Sequence, residues 1–191
     1  MTSPASGFME KIKHFNFQAN PVYDFSCVHN ACDLLMQFYG VEHRGLYLDC
    51  TLDLKIVPLS PGDNRPAYQA FYRHDPFLDD NSYQFLHLSN YSEREIWEIN
   101  RASVSKNIPV ILGVDQYDLP YSKSYHKIHG AHAVILCGFR GDRECFIIDC
   151  IGRSDYRGFV EIEQLHKARI SQNSWSGTVN SGVSYQYACI T

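Results

Sequence analysis

Apolar residues run along this chain with two different periods. Within 24–40, Val28, Ala31, Cys32, Leu35, Phe38 and Tyr39 recur at i, i+3, i+4, i+7 and share one helical face. Ser26 suits an N-cap and Gly40 the position just past a helix end, so the pattern predicts a helix that begins at Cys27. Ser92-Glu93-Arg94-Glu95 is a capping box that opens a second helix with a weaker apolar face (Ile96, Trp97, Ile99, Val104), ending near Asn107 ahead of Pro109. Glu161 to Arg169 predicts a third, short helix. Elsewhere the signal is extended. Val110–Asp115 is almost continuously apolar, as in a buried central strand. The runs 132–139 and 144–151 flank Arg140-Gly141-Asp142-Arg143 and predict a β-hairpin. Residues 83–88 and 183–190 predict further strands. A short helix or strand is expected within 41–60, while 61–82 and 171–182 read as loop, and residues 1–8 as flexible. Pro21 favours an extended or turning approach to the first helix. A helix followed by consecutive strands predicts an α+β chain: one domain over 1–191, its N-terminal helix packed on a mainly antiparallel sheet.

Composition narrows the function. The 191 residues carry a net charge of −4 with no basic run, which argues against nucleic acid as a partner. No apolar run approaches a membrane span, and the polar N-terminus lacks the apolar core of a secretion signal, so a cytoplasmic protein is expected. The seven cysteines, at 27, 32, 50, 137, 145, 150 and 189, are odd in number and mostly lie inside apolar runs. Reduced core thiols are expected for most of them.

Cys27 differs from the others by position. At a helix N-terminus, the macrodipole and free N–H groups favour thiolate over thiol. The hairpin offers a partner. With its turn centred between Arg140 and Gly141, paired residues have numbers that sum to 281, as His132 and Asp149 do, which places them opposite each other. A carboxylate beside an imidazole fixes its tautomer and stabilises the imidazolium. Cys27 as nucleophile, His132 as base and Asp149 as orienting acid make a cysteine-hydrolase arrangement. The Cys27 N–H would supply one oxyanion donor, with Gln18, Asn30 or Gln116 as the second. Asp115, Gln116, Tyr117 and Tyr121, where the central strand gives way to a Tyr-rich loop, are candidates to line a cleft and receive an amine. They suit an ordinary turn with stacked tyrosines equally well. A rival reading takes His126, His129 and His132 as a zinc set, but positions three apart in extended chain alternate faces. No metal and no bound cofactor are expected.

Several segments together resemble the N-terminal domain of the butirosin biosynthesis protein H family. They are Cys27 with Ala31-Cys32-Asp33-Leu34-Leu35 and Tyr39-Gly40, the run from Pro109 to Tyr121, His132 ahead of Val134-Ile135 and Gly138-Phe139, and Phe146-Ile147-Ile148-Asp149. The resemblance extends over about residues 22–170 and implies a papain-like fold, similar to the leader peptidases of bacteriocin exporters. It also implies Cys27, His132 and Asp149 as the triad. Family members commonly have His before the Cys, where this chain has Ser26. The family is associated with natural-product pathways, and its type member moves an aminoacyl group from a carrier-protein thioester to an amine. The resemblance therefore implies an acyltransferase whose partners are an acyl or peptidyl carrier protein, bearing the phosphopantetheine arm, and a small amine acceptor. Hydrolysis by the same triad (peptidase, amidase or thioesterase) and a non-catalytic papain-like binding domain are the alternatives.

Overall fold

The computed structural model describes residues 4–18, 21, 27–40, 51–58, 66–73, 83–87, 92–150, 154–171 and 184–189. Ser26, Cys50 and the side chains of His29, His87 and Cys189 lie outside what is described. The chain order is α1 (Pro4–His14), α2 (Cys27–Phe38), β1 (Thr51–Pro58), β2 (Pro66–Arg73), β3 (Tyr83–His87), α3 (Glu93–Ser105), β4 (Val110–Asp115), β5 (Ala131–Arg140), β6 (Glu144–Asp149), β7 (Tyr156–Glu161), α4 (Ile162–Arg169) and β8 (Ser184–Cys189). Among the described residues, six strands form an antiparallel sheet in the order β3-β8-β4-β5-β6-β7, and β1 pairs with β2 in a separate ribbon. The class is α+β.

Helices cover both faces of the sheet, one layer more than expected. Ala133, Ile135 and Cys137 of β5, with Phe146 and Ile148 of β6, pack against Ile12 of α1 and Ala31, Leu34, Leu35 and Phe38 of α2. Val134 and Leu136, with Cys145 and Ile147, pack instead against Val104 of α3 and Leu165 and Ala168 of α4. Strands buried on both faces read as continuous apolar runs, which is why 110–115 and 132–139 show so little alternation.

Two expected loops are ordered elements. Pro4–His14 is helical rather than flexible: Phe8, Met9 and Ile12 form a stripe against the α2 side of the core, and Lys11, Lys13 and His14 sit in the last turn, where cations suit the dipole. Arg157 of β7 fastens the segment after it by donating to Phe15 O at 2.8 Å and Phe17 O at 3.2 Å. Pro66–Arg73, read as loop, is the strand that pairs with β1. Its prolines are tolerated because Pro58 and Pro66 stand opposite each other at the end of that ladder.

The other elements follow the periodicity. α3 carries its capping box, with the Ser92 N–H donating to Glu95 Oε2 at 2.8 Å and the Glu95 N–H to Ser92 Oγ at 3.4 Å. Just past its C-cap Lys106, Asn107 has a φ of 63°, the left-handed conformation that follows a helix end.

The hairpin register differs from expectation. Arg140 pairs with Glu144, so the turn spans Gly141 to Arg143 and the pairs near it sum to 284. At that sum His132 and Asp149 would point to opposite faces. A β-bulge between Leu136 and Gly138 makes Cys137 an extra residue, and beyond it the pairs, Leu136↔Ile147 and Ile135↔Ile148, sum to 283. Continued along the strands, this register sets Val134 across from Asp149. His132 is then its diagonal neighbour on the same face, not its direct partner.

Candidate active site

Three elements deliver the central residues. β5 carries His132 one residue from its start, β6 carries Asp149 at its end, and α2 presents Cys27 as its first residue. Diagonal neighbours on a sheet are farther apart than direct pairs but within reach of a long side chain. His132 Nε2 lies 2.8 Å from Asp149 Oδ1, with the two side chains 10% and 2% exposed. Cys27 approaches the same imidazole closely enough to favour its charged form. With Nε2 committed to Asp149, Nδ1 is the nitrogen left to face sulfur. Burial works against the charged form of His132, but the Asp149 carboxylate and Cys27 outweigh it and push the imidazole from 6.5 up to about 9.

The remaining described cysteines are poor nucleophiles. Burial raises Cys32, Cys137 and Cys150 above the usual thiol value and Cys145 to about 12. Cys27, partly exposed, is a free thiol, as the other four are.

The residues proposed to surround this centre scatter. The Gln18 backbone is held by Gln37: the Gln18 N–H donates to Gln37 Oε1 at 3.3 Å and Gln37 Nε2 donates to Gln18 O at 2.8 Å. Gln37 lies ten residues along α2 from Cys27, roughly 15 Å of helix rise, so Gln18 stands at the wrong end of α2 to serve as the oxyanion donor. Asn30 is buried one turn beyond Cys27. Gln116 accepts from Ser124 Oγ at 3.2 Å and its amide lies near Gly130, two residues from His132.

Asp115 corrects the expectation of an amine-receiving carboxylate. It is fully buried. Its Oδ1 accepts from Tyr117 N and Gly130 N, both at 3.0 Å, while Oδ2 meets His129 Nδ1 and Ser171 Oγ, both at 2.7 Å. Burial opposes its charge, but these donors win and hold the carboxyl below the usual range. Asp115 is a staple that closes the loop 116–130 onto β5. Nothing in the local sequence signals that Ser171, 56 residues on, joins it. The same loop is pinned to α4 at Asp118, by Lys167 Nζ at 3.1 Å and by Gln164 Nε2, which donates to Asp118 O at 2.5 Å.

Tyr117 stacks on His129, with centroids 4.0 Å apart, and Tyr125 stacks on His126 at 3.9 Å. The three histidines therefore diverge: His126 lies among tyrosines, His129 goes to Asp115 and His132 to Asp149. Among the described residues no cluster of three metal-ligating side chains occurs. Tyr121 lies flat on Tyr156 with its hydroxyl turned inward toward Asp149, rather than outward to a cleft.

No helix among the described residues is long and apolar enough to cross a membrane. A comparison with curated proteins returned no match. A family model described as butirosin biosynthesis protein H, N-terminal, matches residues 70–150. That span is narrower than the resemblance read from the sequence. It contains the central hairpin with His132 and Asp149 and leaves Cys27 outside. Residues 70–150 of this chain are thus similar to the butirosin biosynthesis protein H N-terminal family.

Proposed function

We propose that the protein is a cysteine-dependent acyltransferase of natural-product biosynthesis with a papain-like arrangement, in which Cys27, His132 and Asp149 act as the triad. The observation that carries this reading is the convergence of a helix-terminal thiol on an imidazole whose far nitrogen is already held by a buried carboxylate. The family match supports a link to antibiotic biosynthesis.

In the proposed sequence, the Cys27 thiolate attacks the thioester carbonyl of an acyl or aminoacyl group on a carrier protein's pantetheine arm. The C–S bond to the carrier breaks, and the departing thiolate takes a proton from the His132 imidazolium. An amine then attacks the Cys27 thioester. His132 accepts the amine proton, and Cys27 leaves as thiolate, its starting form. The first exchange is nearly balanced, thioester for thioester, and the second is downhill to an amide. Asp149 keeps the imidazole oriented through both proton transfers. The Cys27 backbone N–H lies at a helix N-terminus, where an oxyanion is favoured.

The test is intact mass after incubation with acyl-loaded carrier proteins. An adduct on Cys27 that survives in water and discharges to an added amine supports transfer. Rapid discharge without amine supports hydrolysis by the same residues. Absence of any adduct across acyl donors refutes both and leaves a binding domain.

A further inference from the structure

Tyr121 is fixed by two features. Its ring lies on Tyr156 with centroids 3.8 Å apart and planes 4° from parallel. Tyr156 in turn stands opposite Asp149 in the β6–β7 ladder. The stack therefore holds Tyr121 over the stretch of sheet where Asp149 meets His132. Its hydroxyl is buried and has no partner in good hydrogen-bond geometry among the described residues. The titratable groups it faces are Asp149, Tyr156 and Cys145. Tyr156 donates its hydroxyl proton to Phe159 O at 2.9 Å, and Cys145 directs its thiol to Val160 O at 3.5 Å. Asp149 is the charged acceptor among the three. Burial, followed by the Asp149 charge, pushes Tyr121 ionisation upward, so the phenol stays protonated and can donate.

We propose that Tyr121 is a positioning residue of the site, donating its hydroxyl to Asp149 and orienting that carboxylate toward His132. The proposal rests on the triad reading. A buried hydroxyl without an acceptor is costly, and a small closing movement of the stacked pair satisfies it. The carboxylate's charge is then divided between phenol and imidazolium, so Tyr121 tempers the hold of Asp149 on the His132 proton. Cys27 is the other titratable group that faces His132.

The experiment follows the pH dependence of Cys27 alkylation by iodoacetamide, with the His132 ring titrated by NMR, in wild type, Tyr121→Phe, Asp149→Asn and the double variant. Tyr121→Phe keeps the stacking ring and removes the donor. The expected result is an upward move of the alkaline limb, and of the His132 titration, by about half a pH unit. No added shift is expected when Asp149 is already Asn. A ring-fluorinated tyrosine at position 121, a stronger donor of the same shape, moves the limb down and serves if Tyr121→Phe fails to fold. Tyr121 variants that overlay wild type, while Asp149→Asn departs from it, overturn the proposal and leave the triad standing. An ordinary free-thiol profile in wild type, unchanged by Asp149→Asn, overturns the triad and the proposal with it.

Discussion

Two histidines three residues apart on this chain each meet an aspartate at nearly the same distance. His129 Nδ1 is 2.7 Å from Asp115 Oδ2, and His132 Nε2 is 2.8 Å from Asp149 Oδ1. Their surroundings separate them. The His129 side chain is 45% exposed, lies against Tyr117 and serves a carboxylate that three other groups already satisfy. The His132 side chain is 10% exposed and joins Asp149 to a thiol. A short His–Asp distance is therefore not in itself a mark of chemistry. What distinguishes the second pair is burial of both partners together with a thiol near the imidazole. The first pair builds a loop; the second is the one on which the proposed chemistry rests.

The sharpest way to break this contrast is to remove one member from each side. Cys27→Ala is expected to lower turnover on the order of 1000-fold or more, and Asp149→Asn roughly 100-fold, with both proteins folded by circular dichroism. Full activity in Cys27→Ala ends the catalytic reading. Asp115→Ala is expected to act on stability instead, lowering the unfolding free energy by about 2 kcal/mol in urea melts because it leaves several part-buried donors without an acceptor. If Asp115→Ala unfolds like wild type and loses turnover, the two pairs have been assigned the wrong way round.

Acidity and alkalinity should separate the pairs as well. The His132 value is raised from 6.5 to about 9, so its contribution to stability is complete below about 6.5 and is lost as pH rises to about 9. Asp115 is held below its usual 3.8, so its contribution is present above that value and is lost as pH falls. Urea midpoints are expected to decline on both limbs. His132→Gln should flatten the alkaline limb and Asp115→Asn the acid one; limbs unchanged in the variants would contradict the assignment. The smallest effect belongs to His129→Ala, under about 1 kcal/mol, because a half-exposed partner is screened by solvent. A larger loss in melts would make His129 a second buried anchor.

Much of this was readable from the chain, for local reasons. The helix that starts at Cys27, the capping box at Ser92 and the run at Val110–Asp115 depend on neighbours in sequence, and the structure has all three. α1 was missed because Pro4, Ser6 and Gly7 are weak helix formers, and its stripe of Phe8, Met9 and Ile12 gains stability from α2 and the sheet. β2 was missed because prolines bracket the ribbon. The role of Asp115 was not legible because three of its four partners, His129, Gly130 and Ser171, arrive from 14 or more residues along the chain. The register was missed by two, although the isolated Gly138 inside a strand pattern is the usual signal of a bulge.

That glycine reaches further than the hairpin. A sheet apolar on both faces cannot fix its register by alternation, since a strand displaced by one residue still buries apolar side chains on each side. Here a close helix approach marks the register instead. A Cβ at position 138 would collide with Met9 Sδ of α1, so the helix passes over β5 where a glycine lies beneath it. A side chain brought there by a shift of β5 would oblige the Met9 thioether to move aside. The first described helix thereby rests beside the bulge, the irregularity that returns His132 and Asp149 to one face.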